Sequence, residues 1–232
     1  MFVKDQCYWC SNPTVSNEHI PPLGLFPNGH KVDLITVRSC SNHNHDLSKI
    51  DERMRFYMTS MGSDTQIGLK HFKEKTIKGL RRIESRGLAI DIINKKIITS
   101  DGTSLFKEDS ENWDLYFEKI IRGLYFFHFK TQLNSRTHFF SNKLRMLDLS
   151  ANVHFFYHTI EERMSGKWIE GNPKNKKIFD YKYCLSEVDN QFLVIMKFYV
   201  NHQIIGISLP DEKDIDDYSI SFEEYKKYMD NI

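Results

Sequence analysis

Two pairs of soft ligands, each with a two-residue gap, stand near the start of the chain: Cys7-Tyr-Trp-Cys10 and Cys40-Ser-Asn-His43. A tight knuckle turns two side chains toward one point, and two knuckles supply the four ligands of a tetrahedral zinc ion. His45 lies near enough to the second knuckle to replace His43 as the fourth ligand. Between the pairs comes Glu18-His19-Ile20-Pro21-Pro22, and directly after His43 comes Asn44. Knuckles alone describe a structural zinc module. The acid–histidine dipeptide between them adds groups that can move a proton or hold a hard cation, and it turns the reading toward catalysis.

The rest of the composition limits the alternatives. Lysine and arginine number 32 against 31 aspartates and glutamates, so no global basic field advertises a nucleic-acid partner and any such affinity must be local. Three of the four cysteines, Cys7, Cys10 and Cys40, cluster around the knuckles, while Cys184 stands alone in an apolar segment as a buried strand residue. That distribution suits a metal site better than a disulfide framework. The start has no apolar stretch behind a basic one, and no apolar run reaches membrane-spanning length, so no membrane association is expected. A reducing cytoplasm is the expected compartment.

The elements that must position these residues follow from pattern. Glu18–Ile20 reads as a short strand that Pro21 and Pro22 stop, because they lack ladder donors. A loop tipped by Asn28-Gly29 leads to a returning strand over Lys31–Arg38. From His45 the spacing of Leu47, Ile50, Met54 and Tyr57 predicts a helix that ends at Gly62. Asp46, Asp51 and Glu52 cap or solvate that helix, or one of them adds a metal ligand. Residues 65–86 read as a second helix with a Leu69, Phe72, Thr76, Leu80, Ile83 stripe and a basic remainder. Strands are expected over Leu88–Ile93 and Ile97–Ser100, then a long helix from Ser110 to Gln132, a strand at Arg136–Phe140 and a helix over Val153–Met164. His154 and His158 share one face of that helix, but without the glutamate of a zinc-protease pattern they read as packing. Three strands follow at Phe179–Leu185, Gln191–Val200 and Gln203–Leu209, the last two joined at Asn201-His202, and a capping box opens a final helix at Ser221. The fold class is α+β, with a boundary near Gly62-Ser63-Asp64 that separates an N-terminal unit, 1–62, from a C-terminal mixed α+β domain, 63–232.

The motif residues Cys7-x-x-Cys10, Glu18-His19-Ile-Pro and Cys40-x-x-His43-Asn44 resemble those of the zinc-stapled branch of the HNH, or ββα-metal, endonucleases. The resemblance covers about the first 55 residues. It implies a metal-dependent endonuclease that hydrolyses phosphodiester bonds of duplex DNA. His19 would be the general base, Glu18 and Asn44 the ligands of one catalytic Mg²⁺ or Mn²⁺, and Cys7, Cys10, Cys40 and His43 the ligands of structural Zn²⁺. The chain departs from the family pattern in three places. His43 stands where a fourth cysteine is usual, Glu18 replaces the commoner aspartate, and Ile35 and Thr36 occupy the region of the family's central asparagine. Thr36 or Asn28 is then left to orient His19.

A basic face formed by Lys70, Lys73, Lys78 and Arg81 follows the motif and is either a phosphate track or a solvated surface. The C-terminal domain is the place for a homo-oligomer contact or a partner protein. The alternative function is a zinc-dependent DNA-binding or partner-docking protein whose nuclease site has decayed, in keeping with the absent central asparagine.

Overall fold

The computed structural model describes residues 6–100, 102, 104–141, 167–185 and 191–209 of the 232-residue chain. The fold is mixed α+β. Strand β1 (Ser16–His19) pairs antiparallel with β2 (Thr36–Ser39), Glu18 opposite Val37 and His19 opposite Thr36. The returning strand is shorter than its alternating pattern implies. Lys31–Leu34 is irregular, and Ile35 contributes a carbonyl that accepts from Ile20 N at 3.0 Å. A π turn (Asn42–Asp46) then leads into helix α1 (Ser48–Met61), which stops at Gly62 as expected.

The predicted helix over 65–86 is broken. Helix α2 (Gln66–His71) passes through a π segment (Phe72–Ile77) into the single turn α3 (Lys78–Leu80). Thr65 caps α2, its hydroxyl accepting from Gly68 N at 3.1 Å. The apolar stripe proposed for this stretch holds only in its middle, since Leu69 and Ile83 are exposed. The strand expected over Leu88–Ile93 is helix α4 (Arg86–Asn94). Its pattern misleads because Ile90 and Ile93 are exposed and only Ile92 is buried, so the run does not mark a sheet interior. Charged ties select the helix instead. Arg53 of α1 meets Asp91 at 2.5 Å and Glu108 at 2.9 Å, and Lys95 meets Glu108 at 3.1 Å.

Strands β3 (Lys96–Ile98) and β4 (Ser104–Phe106) form a small hairpin. Helix α5 (Ser110–Phe129) ends at Lys130, which takes the left-handed conformation three residues after Phe127. Five antiparallel strands complete the described chain: β5 (Arg136–Ser141), β6 (Ile169–Glu170), β7 (Phe179–Leu185), β8 (Phe192–Phe198) and β9 (His202–Leu209), in the order β5-β9-β8-β7-β6. The β8–β9 turn is Tyr199-Val200-Asn201 rather than Asn201-His202, because Phe198 pairs with His202. The helices expected over Val153–Met164 and after Ser221 lie outside the described residues, as do His154 and His158.

Helix α5 is the spine. Trp113, Tyr116, Phe117, Ile120, Ile121 and Leu124 are all buried, which is what a helix covered on opposite sides requires. Toward the sheet, Phe117 meets Phe139 at 4.5 Å between ring centroids. Gly206 of β9 lets Ile121 approach so closely that a Cβ there would sit 2.6 Å from its Cδ1. Toward the N-terminal strands, Gly123 does the same for Ile20, at 2.5 Å. One apolar cluster therefore runs from Cys7 and Ile20 through α5 to Val194 and Ile204. The other sheet face buries a smaller set, Cys184, Leu193, Ile195, Ile205 and Ile207. Among the described residues no helix is long and apolar enough to cross a membrane.

Candidate metal centre and adjoining cavity

The knuckles converge. Cys7, Cys10, Cys40 and His43 bring one ligand atom each to within 4.8 Å of the others. His43 Nδ1 lies 3.5, 3.4 and 3.3 Å from the sulfurs of Cys7, Cys10 and Cys40, and the Cys10 and Cys40 sulfurs are 3.7 Å apart. Ligands at zinc bond lengths on a tetrahedron are about 3.5–3.8 Å from one another, so the four fit a zinc ion. Burial pushes the Cys10 thiol up to about 11, with Cys40 and Cys7 close by adding to the shift. A bound cation would hold these groups as thiolates. His45, the alternative fourth ligand, is exposed and stands outside the cluster.

Neighbouring groups fix the knuckles. Trp9 stacks on the His43 ring at 4.6 Å and 9°, and Arg122 of α5 lies over Trp9 at 5.4 Å. Gln132 Nε2 donates to the carbonyls of Cys7 and Cys10 at 2.8 and 2.7 Å. The first knuckle is thereby tied to the chain just past α5. The second knuckle leads into the π turn, where Asn44 N donates to Cys40 O at 3.1 Å.

Beside the centre lies a cavity of about 430 Å³. Glu18, His19 and Asn44, picked out by motif, all line it, together with Asp51, Glu52 and Arg55 of α1. Neighbours on a strand point to opposite faces. Glu18 turns inward and is buried, while His19 is half-buried at the strand end, ahead of the cis Ile20–Pro21 bond. The Asn44 amide donates to the Ser16 hydroxyl, which aims it back along β1. Thr36 faces His19 across the ladder and is exposed, while Asn28 belongs to a different cavity.

Sequence reasoning missed the group that organises these carboxylates. Lys119 of α5 is fully buried, its ammonium 3.1 Å from Glu18 and 2.7 Å from Asp51. The signal was a lysine set among Tyr116, Ile120 and Gly123 on the apolar side of α5, where a charge is costly without partners. Burial pushes both carboxyls up from their ordinary values, and the ammonium pulls each back. Two carboxyl groups share one ammonium, and among the described residues Asp51 Oδ1 is buried without a hydrogen-bond partner. Burial, with Lys31 nearby, lowers the pKa of His19 and so favours the neutral ring.

The predicted basic face is divided. Lys70 and Lys78 line a second cavity with Lys75 and Arg82, whereas Lys73 and Arg81 are exposed away from it. Comparison with family models, curated proteins and solved structures finds no match for the chain.

Proposed function

We propose that the chain is a metal-dependent endonuclease of the HNH type, its β1–β2–α1 order forming a ββα-metal unit that hydrolyses DNA phosphodiester bonds. The observation that carries this reading is the meeting of Glu18, His19 and Asn44, the residues the family resemblance singles out, in one cavity beside a Cys3His cluster. His19, its neutral ring favoured by burial, takes a proton from water at a ring nitrogen. Glu18, Asn44 and Asp51, which line one cavity, would hold Mg²⁺ or Mn²⁺. Such an ion supplies positive charge to the phosphate and to the departing oxygen. Lys119 keeps the two carboxylates side by side despite their repulsion. The Cys3His centre would carry structural zinc and fix the π turn that holds Asn44 ahead of α1.

The second reading, a decayed zinc-dependent DNA-binding or docking protein, draws on the same ion pair, because Lys119 occupies a carboxylate oxygen of Glu18. Supercoiled plasmid separates the two. Purified zinc-loaded protein is expected to nick or linearise it with added Mg²⁺ or Mn²⁺ and to leave it intact when that ion is omitted. Plasmid that stays supercoiled with either ion, while still bound by the protein, supports the decayed reading.

A further inference from the structure

A second cavity, of about 560 Å³, shares no lining residue with the first. One wall is the 27–30 loop and the other the α2–π–α3 run. On that run stand Lys70, Lys75, Lys78 and Arg82, with Glu74 the one carboxylate among the described lining residues. Among the described residues none of these four cations has a carboxylate within salt-bridge distance. Crowded like charges without counter-charges are unfavourable unless an anion joins them.

The wall of this cavity also holds a buried polar atom without a partner. His71 is 2% exposed. Tyr199 donates its only hydroxyl proton to Leu25 O at 2.8 Å, so the contact of His71 Nδ1 with the Tyr199 hydroxyl oxygen, also 2.8 Å, must be donated by the ring. Among the described residues Nε2 is left buried with no hydrogen bond. Burial, then Lys75, Arg55 and Lys31, bring the ring down to about 4, while burial, Lys31 and Arg55 bring the Lys75 ammonium down to about 8. Burial is the larger cause of both shifts, and the neighbouring cations add to it. A bound anion would oppose both shifts.

We propose that this cavity binds a phosphate group carried by a nucleotide or a nucleic-acid strand. Arg82 offers a planar fork to two phosphate oxygens, and the lysines act as point charges around it. The assignment goes beyond the hydrolytic reading, since it needs neither His19 nor a catalytic ion.

The test is calorimetric titration of the full, zinc-loaded chain, without added Mg²⁺ or Mn²⁺. The probes are inorganic phosphate, a nucleoside 5′-monophosphate and a short single-stranded oligonucleotide. All binding that is seen should weaken by about tenfold or more in Lys75→Gln/Arg82→Gln, because two charge-assisted bonds are lost. It should change by no more than about twofold in the exposed pair Lys73→Gln/Arg81→Gln. Glu74→Gln should tighten it, a gain that damage to the fold cannot mimic. An oligonucleotide that binds more tightly than the mononucleotide identifies a strand as the source, and equal affinities identify a free nucleotide. Absence of binding by all three probes, or equal losses in the two double variants together with no gain in Glu74→Gln, overturns the proposal. His19→Ala should leave these affinities unchanged, so a failure here and a failure of the hydrolytic reading are separate results.

Discussion

Lys119→Met is expected to lower unfolding stability by about 3–5 kcal/mol at pH 8, the cost of leaving a buried ion cluster without its counter-charge. Glu18 and Asp51 would then face each other beneath α5 with nothing to offset their burial. Their folded pKa values, already raised by burial, would rise further. A carboxyl whose folded pKa exceeds its unfolded value contributes stability at low pH and loses it as pH rises through the folded pKa. The deficit of Lys119→Met relative to the natural chain should therefore shrink between pH 8 and pH 5. Urea unfolding at both values measures it. A variant as stable as the natural chain at pH 8 would mean that Lys119 does not organise the carboxylates.

Cys40→Ser is expected to lose the metal and to loosen the N-terminal strands, α1 included. Apparent binding free energies of structural zinc are on the order of 10 kcal/mol, comparable with the whole stability of a small domain. Cys40 is buried and sits at the junction of β2 and the π turn, so a bond from it to zinc would fix the position of Asn44 as well as the ion. Metal analysis should give less than one zinc per chain, with a lower thermal midpoint. Retention of one tightly held zinc per chain and an unchanged midpoint would remove the zinc assignment.

The metal centre was legible because knuckle spacing is a local property, and Cys7, Cys10, Cys40 and His43 meet as their gaps imply. Helices α1 and α5 and strands β5, β7, β8 and β9 were legible because their buried residues recur at helical or alternating intervals. Helix α4 was not, since its isoleucines are mostly exposed and the ties that select it, Arg53–Asp91 and Lys95–Glu108, join residues far apart in sequence. The same holds for the site. Glu18, His19 and Asn44 carry a local signature, but Lys119 reaches them from α5 and Asp51 from α1. The split of the basic face is likewise a matter of which helical residues meet the 27–30 loop.

The central claim, that His19 is the base of a metal-dependent phosphodiester hydrolysis, is tested most directly by the single-turnover cleavage rate of supercoiled plasmid at saturating protein. The natural chain and His19→Ala are compared with Mg²⁺ or Mn²⁺ present. Loss of a positioned general base costs about 10²-fold or more. His19 is half-buried and lies outside the Cys3His cluster, so the variant should keep its zinc and its thermal midpoint. A rate lower by about 10²-fold with both retained is the predicted result. A His19→Ala protein that cuts at the rate of the natural chain would contradict the account.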